Sequence, residues 1–392
     1  MSRVSSPEAL EPVLFAPPSI GEAELGEVMA VLRSGWLTTG PRVERFEHEF
    51  AAYVGARYAL AVNSCTAALH LSLLAAGIGP GDEVVTTPLT FCATANAIVH
   101  TGATPVFADV DPITMNLTPE SAEAATTGRT RAILPVHFAG RPVDVSGFRS
   151  LTQRTGLVLV DDAAHAVEAG SGVHKIGAGS GDLTCFSFYA TKNLTTAEGG
   201  MVTTNRGDWA EQIRVMSLHG MSRNAWTRYS LNGSPRYDVQ MAGFKYNMSD
   251  LQAALGIHQL ASIDCRRERR EAICRRYDAE LADLPIGRPA ATPAGDLHAR
   301  HLYTILVDET ACGWTRDAFA ASLRDRGIAT AVHFTALHLH SYYAERFDLR
   351  RGMFPAAESI SDRTLSLPLS AAMTDRAVDR VIEAVRDCLV GR

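Results

Sequence analysis

The chain has 392 residues, a length that suits about two domains with a large buried core. Its formal net charge is -6 with both signs well mixed, so no charged tract is predicted to attract nucleic acid or an acidic membrane surface. Seven scattered cysteines form no Cys-x-x-Cys pair, no apolar run approaches the roughly 18 residues that span a membrane, and no signal sequence is recognisable. We therefore expect a cytoplasmic protein that acts on small molecules.

Two amphipathic helices are predicted first along the chain. In SIGEAELGEVMAVLRSG, Ser19 and Glu22 have the spacing of a capping box, and Gly35 stands where the helix would end. In PRVERFEHEFAAYVG, Pro41 begins a second helix that places aromatic side chains on one face.

Short apolar segments rich in β-branched residues then alternate with helical patterns. The predicted strands are RYALAV, DEVVTT, TPVFADV, RAILPV, GLVLVDD, LTCFSF and GMVTT. This alternation predicts an α/β fold with a mostly parallel central sheet. A long helical pattern from Ser249 leads to a second α/β unit that begins near residue 301. We predict a large domain over residues 1–260 and a smaller C-terminal α/β domain over residues 261–392. The basic run RRERREAICRR, residues 266–276, is predicted to be a solvated helix face rather than a nucleic-acid site.

A lysine interrupts an apolar stretch in CFSFYATKNLTTAEGG, residues 185–200. Most lysines are solvated surface groups, so context must decide whether Lys192 is one of them. A lysine in a desolvated site has its ammonium form disfavoured, and it can act as a neutral amine that attacks an aldehyde.

Two further segments fall at predicted strand ends, where α/β sheets bind ligands. NSCTAALHL, residues 63–71, fits either a helix N-cap at Ser64 or Thr66, or a phosphate site at a helix start. LVLVDDAAHA places Asp161 and Asp162 at a strand end, where a carboxylate either forms a turn or pairs with a buried cation such as a protonated pyridine. Together with Lys192, these parts match the requirements of pyridoxal phosphate.

The same segments carry a family resemblance. NSCTAALHLSLLAAGIGPGDEVVTTPLTFCATANAI, LVLVDDAAHA, CFSFYATKNLTTAEGG and GFKYNMSDLQAALGIHQL together resemble the DegT/DnrJ-type nucleotide-sugar aminotransferases, over roughly residues 14–390. The resemblance implies the type I aminotransferase fold, pyridoxal phosphate as cofactor with pyridoxamine phosphate as its second form, and a homodimer with shared active sites.

It also implies roles for individual residues. Lys192 would bind the cofactor as a Schiff base, Asp162 would pair with the pyridine nitrogen, and His165 would lie near the phenolic oxygen. The remaining cofactor contacts would be Phe91 on the ring face, Ser64, Thr66, Ala67 and Ser187 at the phosphate, and Asn247 from the neighbouring subunit. His165 stands where many relatives carry glutamine, and Tyr189 replaces a frequent histidine without an assigned role.

The implied reaction moves an amino group from glutamate to a nucleotide-linked keto-sugar. LHGMSRNAWTRY and GFKYNMSD resemble the branch that aminates 4-keto-6-deoxy sugars, with Thr38, Thr39 and His333 near the sugar. The alternatives are a 3-keto-sugar or keto-cyclitol aminotransferase, and a non-catalytic regulator that binds the cofactor as a ligand. Sugar 3-dehydratases of the same fold carry histidine in place of the lysine, so Lys192 favours transamination. No metal is expected at His333, His338 and His340, because no acidic residue accompanies them nearby.

Overall fold

The computed structural model describes residues 11–221 and 237–390. The helices are α1 (Glu22–Ser34), α2 (Pro41–Val54), α3 (Cys65–Ala75), α4 (Cys92–His100), α5 (Pro119–Ala124), α6 (Val145–Thr155), α7 (Gly207–Ser217), α8 (Asp250–Ala261), α9 (Ile263–Glu280), α10 (Glu309–Cys312), α11 (Arg316–Asp325), α12 (Ser341–Phe347), α13 (Pro355–Arg363) and α14 (Asp375–Val390). The strands are β1 (Tyr58–Val62), β2 (Glu83–Thr86), β3 (Thr104–Phe107), β4 (Thr130–Leu134), β5 (Val158–Asp162), β6 (Gly170–Ser171), β7 (His174–Lys175), β8 (Leu183–Ser187), β9 (Gly200–Thr204), β10 (Tyr303–Leu306) and β11 (Thr364–Leu367).

Seven strands form the central sheet in the order β1-β9-β8-β5-β4-β2-β3. Strand β9 is antiparallel to both of its neighbours, whereas the remaining pairs are parallel. The predicted α/β fold with a mostly parallel sheet is therefore confirmed. Every predicted strand of this sheet is present, because each is a short apolar run that both faces of the sheet bury.

The ends of the first two helices agree with the prediction only in part. Helix α2 starts at Pro41, as predicted, and α1 ends at Gly35, which has a left-handed φ of 73°. The predicted cap at Ser19 is wrong, because the N-cap of α1 is Gly21, whose N–H donates to the Glu24 carboxylate at 3.0 Å. In a capping box, the side chain that bonds the N-cap belongs to the third residue after it. Because the N-cap of α1 is Gly21, that residue is Glu24.

A second hydrophobic core lies in the C-terminal part of the chain. It is formed by residues between 273 and 388 around the antiparallel pair β10–β11, and it includes Val13. Val13 donates its N–H to the carbonyl of Gly327 at 2.8 Å, so the N-terminal segment packs on this unit. The long helix predicted from Ser249 is interrupted at Ser262, between α8 and α9. The boundary at residue 260 stays a prediction.

The basic run on α9 is not a uniformly solvated face. Arg270 is only 3% exposed and forms an ion pair with the fully buried Glu168. The sequence-based interpretation is wrong for this arginine, because a carboxylate more than 100 positions away in the chain compensates its charge. In the described ranges, no helix is long and apolar enough to cross a membrane.

Candidate active site

A cavity of about 600 Å³ lies at the edge of the central sheet where β5 and β8 end. Loops and helix starts from both parts of the chain enclose it, as is usual for ligand sites of α/β folds. Its lining is made of Phe15, Ser64, Cys65, Thr66, Leu69, Thr90, Phe91, Ala93, Thr94, Val136, Asp162, Ala164, His165, Ser187, Tyr189, Thr191, Lys192, Glu198, Gly199, His301, Val332, His333 and Phe334.

Most residues singled out in the sequence meet in this cavity. The lining includes Ser64, Thr66, Phe91, Asp162, His165, Ser187, Lys192 and His333. It does not include Ala67, Thr38, Thr39 or Asn247. The structure thus brings together one group from distant motifs and leaves a second group outside the cavity of its own chain.

The start of α3 forms one end of the cavity. Ser64 is the N-cap of the helix, and its Oγ accepts the N–H of Ala67 at 3.1 Å. The N–H of Ala67, a buried residue, is therefore already hydrogen-bonded to the cap and is not free to bind a ligand. The amides of Cys65 and Thr66 have no partner within the helix and remain available for an anion.

Two glycines allow close contacts in the chain after Lys192, and one of them, Gly200, meets this helix start. A Cβ on Gly200 would lie 2.5 Å from the carbonyl carbon of Ser64 and 2.7 Å from the nitrogen of Cys65. A Cβ on Gly199 would lie 2.2 Å from Oγ1 of Thr196. Gly200 is therefore required where β9 meets the N-terminus of α3, and Gly199 is required by its contact with Thr196.

The two neighbouring aspartates at the end of β5 face different surroundings. Asp162 lines the cavity, where its Oδ2 accepts from Thr94 Oγ1 at 2.7 Å and its Oδ1 from the N–H of Ala164 at 3.1 Å. Asp161 does not line the cavity, and its Oδ2 accepts from Ser180 Oγ at 2.6 Å. Burial raises the pKa of Asp162, and the hydrogen bonds from Thr94 and Ala164 oppose that rise.

Lys192 lies in the same cavity with its ammonium group enclosed by protein. Burial lowers the pKa of Lys192 to about 8, although the nearby Cys65 and Asp162 favour its charged form. A substantial fraction of this lysine is therefore a neutral amine near neutral to mildly alkaline pH. Such an amine is able to add to an aldehyde.

Three histidines surround the lysine. Burial lowers the pKa of His333 to about 4 and the pKa values of His165 and His301 well below 6.5. Lys192 adds to each shift, because a positive charge disfavours a second one nearby. All three rings are therefore neutral at physiological pH. Nδ1 of His165 is buried and has no hydrogen-bond partner within the described ranges.

These features fit pyridoxal phosphate. The start of α3 with its close glycine contact suits a phosphate, and the buried Asp162 suits a protonated ring nitrogen. Lys192 supplies the amine, and the unpaired nitrogen of His165 offers a bond to a polar ring substituent.

Several cavity residues were not found from the sequence. No local pattern singles out Phe15, Thr94, His301 or Phe334, and they reach the cavity only through the fold. Thr94, which bonds Asp162, lies inside the helical segment FCATANAIVH, where a threonine gives no separate signal.

The residues outside the cavity form a cluster of their own. Asn247 donates from Nδ2 to Thr39 Oγ1 at 2.7 Å, and Thr39 Oγ1 donates to the carbonyl of Met248 at 2.6 Å. Thr38 is exposed and accepts the N–H of Asp250 at 3.2 Å through its carbonyl. Asn247 therefore makes no contact with the cavity of its own chain.

Comparisons with known proteins agree over nearly the whole chain. The family described as "DegT/DnrJ/EryC1/StrS aminotransferase family" matches residues 18–386. The chain is 52% identical over 379 residues to the spore coat polysaccharide biosynthesis protein SpsC of Bacillus subtilis, with 96% of this chain and 97% of SpsC covered.

Solved structures give the same result. Spr1654 of Streptococcus pneumoniae, in its PLP form, is 32% identical with a TM-score of 0.89, covering 97% of this chain and 99% of that chain. The same protein has also been solved in a PMP form. DesI, solved in the presence of its TDP-sugar product, is 33% identical with a TM-score of 0.85, covering 97% of this chain and 94% of that chain.

Proposed function

The chain belongs to the DegT/DnrJ/EryC1/StrS aminotransferase family of pyridoxal phosphate-dependent enzymes, and we propose that it transfers the amino group of glutamate to a 4-keto-6-deoxy sugar nucleotide. The observation that carries the proposal is the meeting of Lys192, Asp162 and the α3 start in one cavity. The cofactor, when bound, supplies a ring that takes up the electron pair left when a proton leaves the donor's α-carbon.

The residues of the chain hold that ring in defined ways. Asp162, oriented by Thr94, would hold a cation at the ring nitrogen, because its carboxylate is buried and the donors that bond it, Thr94 and the N–H of Ala164, are uncharged. The start of α3 and Ser187 would bind the phosphate, and Phe91 would cover a ring face. His165 would bind the ring oxygen through its imidazole.

Lys192 has two tasks in this proposal. Its amine would hold the cofactor covalently, and as a free amine it would take up the α-proton of the donor and give it back, as general base and then acid. Its lowered pKa suits both tasks, because a general base works best with a pKa near the working pH. The first half of the reaction releases 2-oxoglutarate, and the second half aminates the sugar in the same cavity.

The nucleotide sugar is supported by similarity to DesI, which was solved with a TDP-sugar product. The preference for a 4-keto group rests on the GFKYNMSD segment and on LHGMSRNAWTRY, of which residues 222–229 lie outside the described ranges. Thr38 and Thr39 would reach a sugar only in a neighbouring subunit, because they are absent from the cavity of their own chain. His333 lines the cavity directly.

A homodimer with shared sites completes the proposal. Asn247 bonds Thr39 at the surface and would contact the phosphate held by the other subunit. We place the protein in the cytoplasm, where its nucleotide-sugar substrates are made.

The proposal is tested by the absorbance of the purified protein and by product mass. A yellow protein that bleaches on adding glutamate, and releases 2-oxoglutarate, performs the first half-reaction. Incubation with 4-keto-6-deoxy, 3-keto and cyclitol substrates then shows which one gains an amine. A spectrum that glutamate leaves unchanged would contradict the proposal and favour a regulator, whereas amination of a 3-keto substrate alone would replace the substrate assignment.

A further inference from the structure

A chain of hydrogen bonds, buried at Arg270 and partly buried at Asn193, runs from α9 to the cavity through the residue that follows Lys192. Arg270 and Glu168 form a buried ion pair. Glu168 Oε2 accepts from Nδ2 of Asn193 at 3.0 Å, and Oδ1 of Asn193 lies 3.1 Å from Nδ1 of His301. His301 lines the cavity. We refer to these four side chains as the Arg270 network.

The amide of Asn193 has one possible orientation in this network. Its Nδ2 donates to Glu168 Oε2 at 3.0 Å and to the carbonyl of Ala299 at 2.9 Å. The reversed amide would place Oδ1 against a carboxylate and a carbonyl oxygen, and neither has a hydrogen to donate. Oδ1 therefore faces His301 as an acceptor, so Nδ1 of His301 carries a hydrogen.

This assignment determines the state of the whole ring. A neutral imidazole with its hydrogen on Nδ1 has its lone pair on Nε2, which no described residue binds. The backbone also holds the ring in place, because His301 donates its N–H to Ala139 at 3.0 Å and Ala299 donates to Gly140 at 2.9 Å. Both the side chain and the main chain of His301 are therefore fixed.

His301 in turn contacts His165. Their ring centroids are 4.3 Å apart with the planes tilted by 38°, the closest ring pair in the part of the chain that the structure describes. Phe334 lies nearly parallel to His165, with centroids 6.1 Å apart. Because Nδ1 of His165 has no partner among the described residues, ring packing takes part in setting the plane of this imidazole.

We propose that His301 is a positioning residue for amination: the Arg270 network fixes it as the neutral Nδ1–H tautomer, and its ring braces His165 beside Lys192. This inference rests on the proposed function, because it assigns the buried Arg270–Glu168 ion pair a role in positioning residues of the same site. It also gives a role to an arginine of the basic helical run that is buried.

The test is histidine NMR on cofactor-free protein labelled with ¹⁵N-histidine, with signals assigned from His301→Phe and His165→Gln. The wild-type signal of His301 should show a hydrogen on Nδ1. In Asn193→Ala the His301 signal should move towards the Nε2–H form, and that of His165 should shift or broaden with it. The matched control is Ser366→Ala, which removes the 2.9 Å partner of Nδ1 of His333 and should change the His333 signal alone.

A second measurement concerns the loaded enzyme. Asn193→Ala should slow the glutamate half-reaction by about 10-fold while the dissociation constant of glutamate changes by less than about 3-fold, because misplaced groups affect rate more than binding. A folding defect would lower the active fraction instead of the rate per active site.

An Nε2–H or cationic His301 in the wild type would overturn the proposal, even if Asn193→Ala fails to fold. So would an Asn193→Ala spectrum in which both His301 and His165 stay unchanged. Because the NMR experiment uses no substrate, its result does not depend on which keto-sugar the enzyme aminates.

Discussion

At the end of β5, the adjacent aspartates Asp161 and Asp162 have different surroundings. Asp161 and Asp162 point to opposite sides of the strand, so one bonds Ser180 in the interior while the other lines the cavity. The sequence DD alone leaves open which one serves the ligand. The fold assigns the cavity to Asp162, and its role towards the ring nitrogen is a prediction to be measured.

We expect Asp162→Asn to slow turnover by at least about 100-fold, because a neutral amide does not hold a cation at the ring nitrogen. The matched control Asp161→Asn should keep turnover within about 3-fold and lower the free energy of unfolding by about 1 kcal/mol through its weaker bond to Ser180. Steady-state kinetics measure the turnover of both variants, and urea unfolding measures their free energy of unfolding. Near-normal turnover in Asp162→Asn would remove this aspartate from the mechanism.

The buried ammonium of Lys192 predicts a pH-dependent cost in stability. Its pKa is about 8 in the folded protein against a usual value of 10.5, so the folded chain carries the full desolvation penalty below pH 8. Between these values the unfolded chain binds more protons, so stability rises with pH, and the penalty is gone above about pH 10.5.

Lys192→Met should therefore stabilise the cofactor-free protein at pH 7, by at most roughly 3 kcal/mol, and the gain should vanish near pH 10.5. The same variant should have no turnover. Lys175→Met is the comparison. Burial lowers the pKa of Lys175 as well, but Asp264 at 3.6 Å favours its charged form and the ring of Tyr53 lies 3.9 Å away, so its gain at pH 7 should be smaller than that of Lys192→Met. Urea unfolding across this pH range checks the prediction, and a Lys192→Met protein less stable than wild type at pH 7 would contradict it.

The residues that the sequence did not predict share a physical origin. Thr94 and His301 act through hydrogen bonds and ring contacts that depend on positions far apart in the chain. Asn193 follows Lys192 directly, yet its partners Glu168 and Ala299 lie 25 and 106 positions away. Local patterns carry no information about such contacts.

At the level of elements, strands were predictable and helix boundaries only in part. Each central strand is a short apolar run, so its position follows from nearby residues. The break at Ser262 was not predicted, because the residues on both sides of it favour a helix. The start of α1 was predicted at the wrong residue, because two acidic residues, Glu22 and Glu24, each have the spacing of a capping box.

The close contact between β9 and α3 gives an element-scale prediction. In Gly200→Ala the new Cβ would lie 2.6 Å from the carbonyl oxygen of Ser64, so the start of α3 must move away. We expect the affinity for pyridoxal phosphate to fall by about 10-fold or more, because the phosphate amides lose their alignment. Titration followed by absorbance measures this affinity.

Gly26→Ala is the control for that variant. Gly26 lies inside α1, and beyond the backbone of its own helix no atom comes within 4 Å of the place where a methyl group would stand. Alanine should therefore raise stability by about 0.5–1 kcal/mol and leave cofactor affinity unchanged. Equal affinities for Gly200→Ala and wild type would show that the contact does not shape the phosphate site.

At the scale of the whole molecule, the shared site predicts complementation between inactive subunits. Mixing Lys192→Ala with Asn247→Ala chains produces hybrid dimers in which one site has an intact lysine and, from the other chain, an intact asparagine. Part of the activity should return once subunits exchange. Mass action also predicts that cofactor binding strengthens dimerisation.

The control for this experiment mixes Lys192→Ala with Asp162→Asn chains. Both changes affect the same cavity, so neither site of that hybrid is intact and no activity should return. Subunit exchange is checked by native mass spectrometry of tagged chains. If exchange occurs and the first mixture stays inactive, each chain builds its cofactor site alone.

The packing of the N-terminal segment on the C-terminal core has a consequence for how the protein is made. Phe15 stacks on His333, and both line the cavity although about 320 positions separate them in the sequence. During synthesis the ribosome has released most of the chain before this wall of the cavity exists. Until residue 334 has left the ribosome, the wall formed by Phe15, His333 and Phe334 cannot close the cavity that Lys192 lines.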